Sequence, residues 1–316
     1  MSDKSMEFIW KTDPNLKQNN FLFTGITPTG YYSPEGVSLN GNPEYNGKNL
    51  VKKAMEQTKG YRTNHLMATM GGDFHYVYAE LNLKTLDKLI EYANSIQNET
   101  YLVYSTPDCY VKAVYESGIN WEDTKVDDFM PYADNHNDFW SGYFTSRPAF
   151  KYLMNYANSV LQISKQLIAK ADLFSNARQL IQPLEEAVGI GLHHDAISGT
   201  SKQFVSDDYV RMLSIGLSSA EELIANAYQK LFSVEEKPQF CHKLNASDCP
   251  FLDRLEGLPA EIALYNPLVH RVSDYIRLPL IDPNYQILDS NGNVVESQVC
   301  RSLSPCLQSI TNTVYQ

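Results

Sequence analysis

Helical periodicity dominates two long stretches of the chain. Residues 149–190 carry Leu153, Tyr156, Val160, Ile163 and Leu167 on one stripe, and residues 204–232 carry Tyr209, Met212, Leu213, Leu217 and Leu223. Apolar residues three and four apart line one face of a helix, so this spacing predicts two long helices hinged between them, packed as a helical bundle. The first 118 residues read differently, as strand–helix alternation. Phe21–Ile26 predicts a short buried strand leading into the Pro/Gly loop Thr27–Pro34. Residues 45–58, with Leu50, Val51, Ala54 and Met55, predict a helix. His65–Met70 predicts a strand ending at Gly71-Gly72, residues 83–98 an amphipathic helix, Tyr101–Ser105 a strand and residues 107–117 a helix. Such alternation is the pattern of an α/β fold with parallel strands.

Three stretches lack these patterns. Residues 1–20 are polar and predict a loosely held start. Residues 121–148 are acidic and aromatic without a period, and predict a long ordered connection. After about Lys237 short apolar runs at Ile262–Pro267, Tyr275–Pro279 and Gln286–Asp289 predict the beginning of a β-sandwich. The resulting division is 1–130 for an α/β part, 131–236 for the bundle and 237–316 for the β part.

Composition narrows the partners. The 316 residues suit about two domains. A net charge of −11 argues against nucleic acid or an anionic membrane, both of which select a basic face. No apolar run reaches the length of a membrane span, and the N-terminus has no apolar signal-peptide core. Two glycosylation sequons, at Asn98 and Asn245, are permissive of the secretory pathway. Of the five cysteines, Cys241 and Cys249 form one close pair and Cys300 and Cys306 another. Short loops of this kind can close as disulfides in an oxidising compartment, and the tight spacings of zinc modules are absent. Cys109 is left over, as a buried free thiol or with a partner outside this chain.

The candidate chemistry centres on LEEAVGIGLHHDAISGTSK, residues 184–202. His193, His194 and Asp195 follow a helix-like run. Imidazole nitrogens suit zinc, and a neighbouring carboxylate can orient a ligand or bind a hydroxyl. Capping and surface roles are the commoner account of such a tripeptide taken alone. Asp73, delivered by Gly71-Gly72 at a predicted strand end, suits an acid whose burial could raise its pKa, or an ordinary turn aspartate. Tyr31 and Tyr32 offer aromatic faces to a sugar ring, or simply pack. Asp127, Asp128, Asp134 and Asp138 read as loop hydrogen-bonders that anchor Arg147. Phe139 and Trp140 read as interdomain packing.

Several blocks resemble glycoside hydrolase family 38, the retaining α-mannosidases of lysosomes and the Golgi. HHDAISGTSKQ is similar to the family's HHDA(I/V)(S/T)GT(A/S)(K/R)Q motif. FLFTGITPTGYYSPEG, YRTNHLMATMGGDFHY, YSTPDCY, DDFMPYADNHNDFWSGYFTSRPAFK, FCHKLNASDCP and ALYNPL resemble further blocks of the lysosomal-type branch, in the family's order. The resemblance implies that Asp73 is the general acid/base, His194 a zinc ligand with His193 beside it, and that Asp195 and Tyr31 contact mannose. It implies one Zn²⁺, a mannose-containing oligosaccharide as substrate and a lysosomal or other secretory lumen as location. It also implies structural disulfides Cys241–Cys249, at a family disulfide position, and Cys300–Cys306, with the partner of Cys109 upstream.

No match to the family's His-x-Asp zinc pair or to its nucleophile segment is found; His136 and Asp138 have that spacing but fall in a different block. The expectation is therefore an internal fragment: the end of the α/β catalytic domain, the helical middle domain and the start of a β-sandwich. The nucleophile, the remaining zinc ligands and the downstream β domains would lie outside it, and the piece would be inactive alone. The rivals are a non-catalytic truncated paralogue, a subunit completing a mannosidase site in trans, and a plain carbohydrate-binding protein with mannose affinity but no metal.

Overall fold

The computed structural model describes residues 4–13, 20–122, 124–241, 249–253, 258–276, 278 and 285–298. The chain divides into two units, residues 1–130 and 131–316.

The first unit mixes helices with a small sheet. Strand β1 (Glu7–Lys11) pairs antiparallel with β2 (Phe21–Gly25) and parallel with the two-residue β3 (Thr124–Lys125), in the order β2-β1-β3. The loosely held start is thus corrected: Phe8-Ile9-Trp10 is a short β-forming run, and it lies at the centre of the sheet. β2 is present as expected but is not buried, since Phe21 and Leu22 are exposed.

Helices α1 (Pro43–Gln57), α2 (Ala79–Ser95) and α3 (Pro107–Glu116) lie close to their expected places. Asn42 accepts the Tyr45 N–H at 3.0 Å and Pro43 opens α1, which together define where that helix starts. Leu50 of α1 packs with Leu86 and Leu89 of α2 and with Val37 and Leu39 of the preceding loop.

The parallel α/β ladder is corrected as well. Segments 65–70 and 101–105 run without regular ladders among the described residues, and Tyr101, Val103 and Tyr104 are exposed. An apolar β-forming run becomes a strand only when a neighbour takes up its N–H and C=O groups. These two runs have the composition and lack the neighbour.

The second unit opens with a small hairpin, β4 (Ala133–Asn135) against β5 (Asp138–Phe139), inside the stretch read as a connection. Three helices follow, where two were expected: α4 (Pro148–Lys170), α5 (Phe174–Gly191) and α6 (Gln203–Phe232). The break between α4 and α5 falls at Asp172, whose backbone is left-handed (φ 50°). The apolar stripe continues across it, which hides the break from a periodicity count. Met154, Ala157 and Leu161 of α4, Ile181, Leu184 and Val188 of α5, and Leu213, Ala220 and Leu223 of α6 make one core. Beyond the short helix α7 (Pro250–Asp253), the expected β region shows one isolated bridge, Leu288 to Val294, among the described residues.

Gly216 sets the closeness of α5 and α6. A Cβ there would lie 2.7 Å from Leu184 Cα and 3.1 Å from the carbonyl of Pro183, a proline inside α5. Both neighbours are backbone and cannot step aside. Gly216→Ala is therefore expected to destabilise the unit by about 1–3 kcal/mol through overpacking, although alanine is the better helix former. Gly189 has open space around its Cβ direction, so Gly189→Ala is expected to add about 0.5–1 kcal/mol. Urea unfolding of the two variants checks the opposite signs.

Candidate functional site

The second unit builds its candidate site where α5 ends. The His193 N–H closes on the Ile190 carbonyl at 2.9 Å, and the His193 carbonyl accepts from Ala196 and Ile197. The Asp195 carbonyl then accepts from Thr200 and Ser201 at 3.2 and 3.1 Å. These two successive turns bring the side chains of residues 193–195 together. The Asp195 Oδ2 lies 3.3 Å from His193 Nε2 and 3.7 Å from His194 Nε2, and the two rings are 4.2 Å apart. Asp195 Oδ1 accepts the Thr200 hydroxyl at 2.8 Å. That donation, helped by the two imidazoles and opposed by desolvation, holds the Asp195 carboxyl below its usual range.

Zinc chemistry fits this donor set. Two imidazole nitrogens and a carboxylate oxygen lie within 4.8 Å of one another, and these are zinc's ordinary nitrogen and oxygen ligands. The C-terminal end of α5, which carries partial negative charge, also favours a cation there. Three donors fall one short of a closed tetrahedral site. The His194 side chain is 85 % exposed, leaving it open to further ligands.

The first unit holds the other candidate group. The segment 69–71 runs beside the loop of residues 27–34. Thr69 Oγ1 donates to the carbonyls of Gly30 and Tyr32 at 3.0 and 2.8 Å, and the Ser33 N–H donates to Gly71. This alignment puts the Tyr31 hydroxyl 2.7 Å from Asp73 Oδ1. Tyr31 stacks on Tyr32 with ring centroids 4.5 Å apart at 25°. The hydrogen bonds to Tyr32 and then to Asp73 push the Tyr31 phenol well above its usual value, so it remains a neutral donor. Directly after Asp73 the chain is strained: Phe74 and Tyr76 both have left-handed backbones (φ 58° and 64°). Asp73 itself is exposed, so the burial expected of a pocket wall is not supplied by the described residues of this unit.

Several other expectations resolve differently. Arg147 is not held by the acidic loop: its guanidinium donates to Gln203 Oε1 at 2.8 Å and to the Ser201 carbonyl at 3.0 Å. Asp128 instead accepts the Met130 N–H, and the Asp127 carbonyl accepts from Trp10. Trp140 packs edge-on against Tyr132. Cys241 and Cys249 form a disulfide. Cys109 is free and exposed at the start of α3, which corrects the buried-thiol reading. Cys300, Cys306 and Asn245 lie outside the described residues. Sequence reasoning missed the bonds that Ser146 and Lys151 make to the turn after Asp195, because nothing in their spacing points to residues 197–199.

Known proteins bear directly on these two clusters. Residues 1–135 match the glycosyl hydrolases family 38 N-terminal domain, and residues 138–231 match the alpha mannosidase middle domain. The chain belongs to glycosyl hydrolase family 38. As a family 38 chain it is 39 % identical to lysosomal alpha-mannosidase of Cavia porcellus over 94 % of its length and 32 % of that protein. It is 37 % identical to lysosomal alpha-mannosidase of Homo sapiens over 95 % of its length, again 32 % of that protein. The chain thus spans about a third of the length of these relatives. The crystal structure of an alpha-mannosidase from Enterococcus faecalis V583 shares its fold over 76 % of the chain and 26 % of that structure, at a TM-score of 0.53 and 19 % identity. Asp73 and the His193–Asp195 cluster each fall within a matched region. No helix among the described residues is long and apolar enough to cross a membrane.

Proposed function

We propose that the chain is part of a zinc-dependent retaining α-mannosidase acting on terminal α-mannose of N-glycans in the lysosomal lumen. The observation that carries the reading is the carboxyl of Asp73, solvent-facing and tied to a stacked tyrosine pair. Retaining hydrolysis needs a carboxyl that protonates the departing sugar oxygen and a second carboxylate about 5 Å away that attacks the anomeric carbon. Asp73 fills the first role. It gives its proton to the glycosidic oxygen, then takes one from the water that releases the mannosyl group from the nucleophile. Tyr31 holds the carboxyl in place and, with Tyr32, offers an aromatic face to the C–H side of the sugar.

His194 is the zinc ligand contributed by this turn, His193 lies beside it, and Asp195 receives mannose hydroxyls as hydrogen-bond donors. When bound, zinc supplies Lewis-acid coordination of sugar oxygens. The nucleophile and the remaining zinc ligands come from segments of the enzyme outside residues 1–316, in keeping with a chain spanning about a third of its relatives. On this reading the first unit is the end of an α/β catalytic domain, and the chain alone is inactive. The Cys241–Cys249 disulfide suits an oxidising lumen.

Immunocapture of the native protein with antibody to residues 184–202 tests the proposal. The captured material is expected to hydrolyse an aryl α-mannoside and release the α-anomer first. Chelation is expected to abolish activity and added Zn²⁺ to restore it. A captured species of the chain's own size without activity would replace this reading with a non-catalytic paralogue.

A further inference from the structure

The turn that follows Asp195 is tied down from one side by a single short segment. Every second carbonyl along it is taken by a side chain from residues 146–151. Lys151 Nζ donates to the Ile197 carbonyl at 2.7 Å, Ser146 Oγ to the Gly199 carbonyl at 3.0 Å, and Arg147 to the Ser201 carbonyl at 3.0 Å. Lys151 also donates to the Ser146 carbonyl at 2.5 Å, so its ammonium bridges the two segments. Arg147 reaches on to Gln203, the first residue of α6.

Two further observations show that the fit is close. Gly199 has a left-handed backbone (φ 76°), and a Cβ there would lie 2.7 Å from the Ser146 carbonyl oxygen. Arg147 is itself left-handed (φ 52°), immediately before Pro148 starts α4. A bulky residue is rarely held in that region unless its surroundings impose it.

The residues that this clamp holds are otherwise poorly supported. The side chains of His193, His194 and Asp195 are 45 %, 85 % and 50 % exposed. Exposed ligands get little orientation from packing, so their pose must come from the backbone that carries them.

We propose that Ser146, Arg147 and Lys151 form a polar clamp that sets the pose of the His193–His194–Asp195 turn. Arg147 and Lys151 are its positioning residues for metal and sugar binding. The clamp rests on the preceding reading only for what the turn holds; its effect on the turn's backbone stands apart from any metal. Lys151 contributes through a charge directed at two carbonyl dipoles. Arg147 contributes through a fork that spans Ser201 and Gln203, a geometry that lysine cannot copy.

The test uses the native enzyme that contains this chain, with Arg147→Lys and Lys151→Met. Backbone hydrogen exchange is read at Ala196, Ile197, Thr200 and Ser201, whose N–H groups close the turn. Zn²⁺ alone is titrated while the imidazole nitrogens are followed by NMR. The wild type is expected to show a saturable Zn²⁺ shift at His194. Both variants are expected to speed exchange at the turn at least tenfold and to weaken Zn²⁺ about 10- to 100-fold, with protection in α4–α6 unchanged. Should Lys151→Met unfold the bundle, Arg147→Lys, which keeps the charge, decides alone.

Unchanged turn exchange in a folded variant overturns the clamp. Faster exchange with unchanged Zn²⁺ affinity overturns the positioning role. A wild type whose turn loosens in the variants but whose His194 ignores Zn²⁺ upholds the clamp and removes the zinc reading instead.

Discussion

Asp73→Asn, introduced into the native enzyme that contains this chain, is expected to lower kcat on an α-mannoside with a poor leaving group by about 10³-fold, or about 4 kcal/mol. The substitution keeps the shape of the side chain and keeps an oxygen to accept the Tyr31 hydroxyl, now at 2.7 Å. What it removes is the proton. The loss should therefore depend on how much the departing oxygen needs one. A dinitrophenyl mannoside, whose leaving group departs as the anion, is expected to recover most of the glycosylation rate. Azide, which attacks without a general base, is expected to accelerate release of the mannosyl group.

Tyr31→Phe leaves the carboxyl and removes only its tether, so a loss closer to tenfold is expected. Pre-steady-state kinetics with both leaving groups separate the two steps. An Asp73→Asn enzyme that retains its activity on the poor leaving group would overturn the assignment, whatever metal it holds.

That two-residue pairing illustrates what could be read beforehand. Asp73 stood out because two glycines deliver it and because its neighbourhood resembles a family block. Tyr31 stood out as an exposed aromatic in a Pro/Gly loop. Their hydrogen bond across 42 positions did not, since it depends on Thr69 and Ser33 aligning two loops. The helices were legible for a similar reason: Leu86 and Leu89, or Leu213 and Leu223, declare a buried stripe locally. The strands were not. Residues 65–70 and 101–105 have a β-forming composition, but a ladder is a property of two segments and only one is specified locally. The converse error fell on Glu7–Lys11, where a short apolar run inside a polar stretch became the middle of the sheet. Its buried carboxylate gave no warning either, because glutamate is ordinarily a surface residue.

That carboxylate carries the last prediction. Glu7 is fully buried on β1; the Tyr110 hydroxyl of α3 donates to one of its oxygens, while Oε2 has no hydrogen-bond partner among the described residues. Burial pushes its pKa up, against the opposing pull of the Tyr110 hydrogen bond and of nearby His65. Tyr61 and Tyr110 are pushed up in turn, first by burial and then by Glu7, so both phenols stay neutral across the useful pH range.

A carboxyl whose folded pKa exceeds its unfolded value binds more protons when folded. Its favourable contribution is then complete below the ordinary glutamate value near pH 4.3 and is lost as pH rises through the raised folded value. The first unit is therefore expected to lose stability on going from acid towards neutral pH, with a slope from this group of at most about 1.4 kcal/mol per pH unit. Glu7→Gln keeps the size and the acceptor for Tyr110 and cannot ionise. It is expected to match the wild type in acid, to exceed it at neutral pH and to lack this part of the slope. Tyr110→Phe removes the Tyr110 hydrogen bond to the carboxylate and should act in the opposite direction, most strongly at neutral pH. Hydrogen exchange of the β1 and α3 amides, measured for all three proteins between acid and neutral pH, reads the effect locally. Parallel pH profiles for wild type and Glu7→Gln would show that Glu7 does not change its protonation on folding.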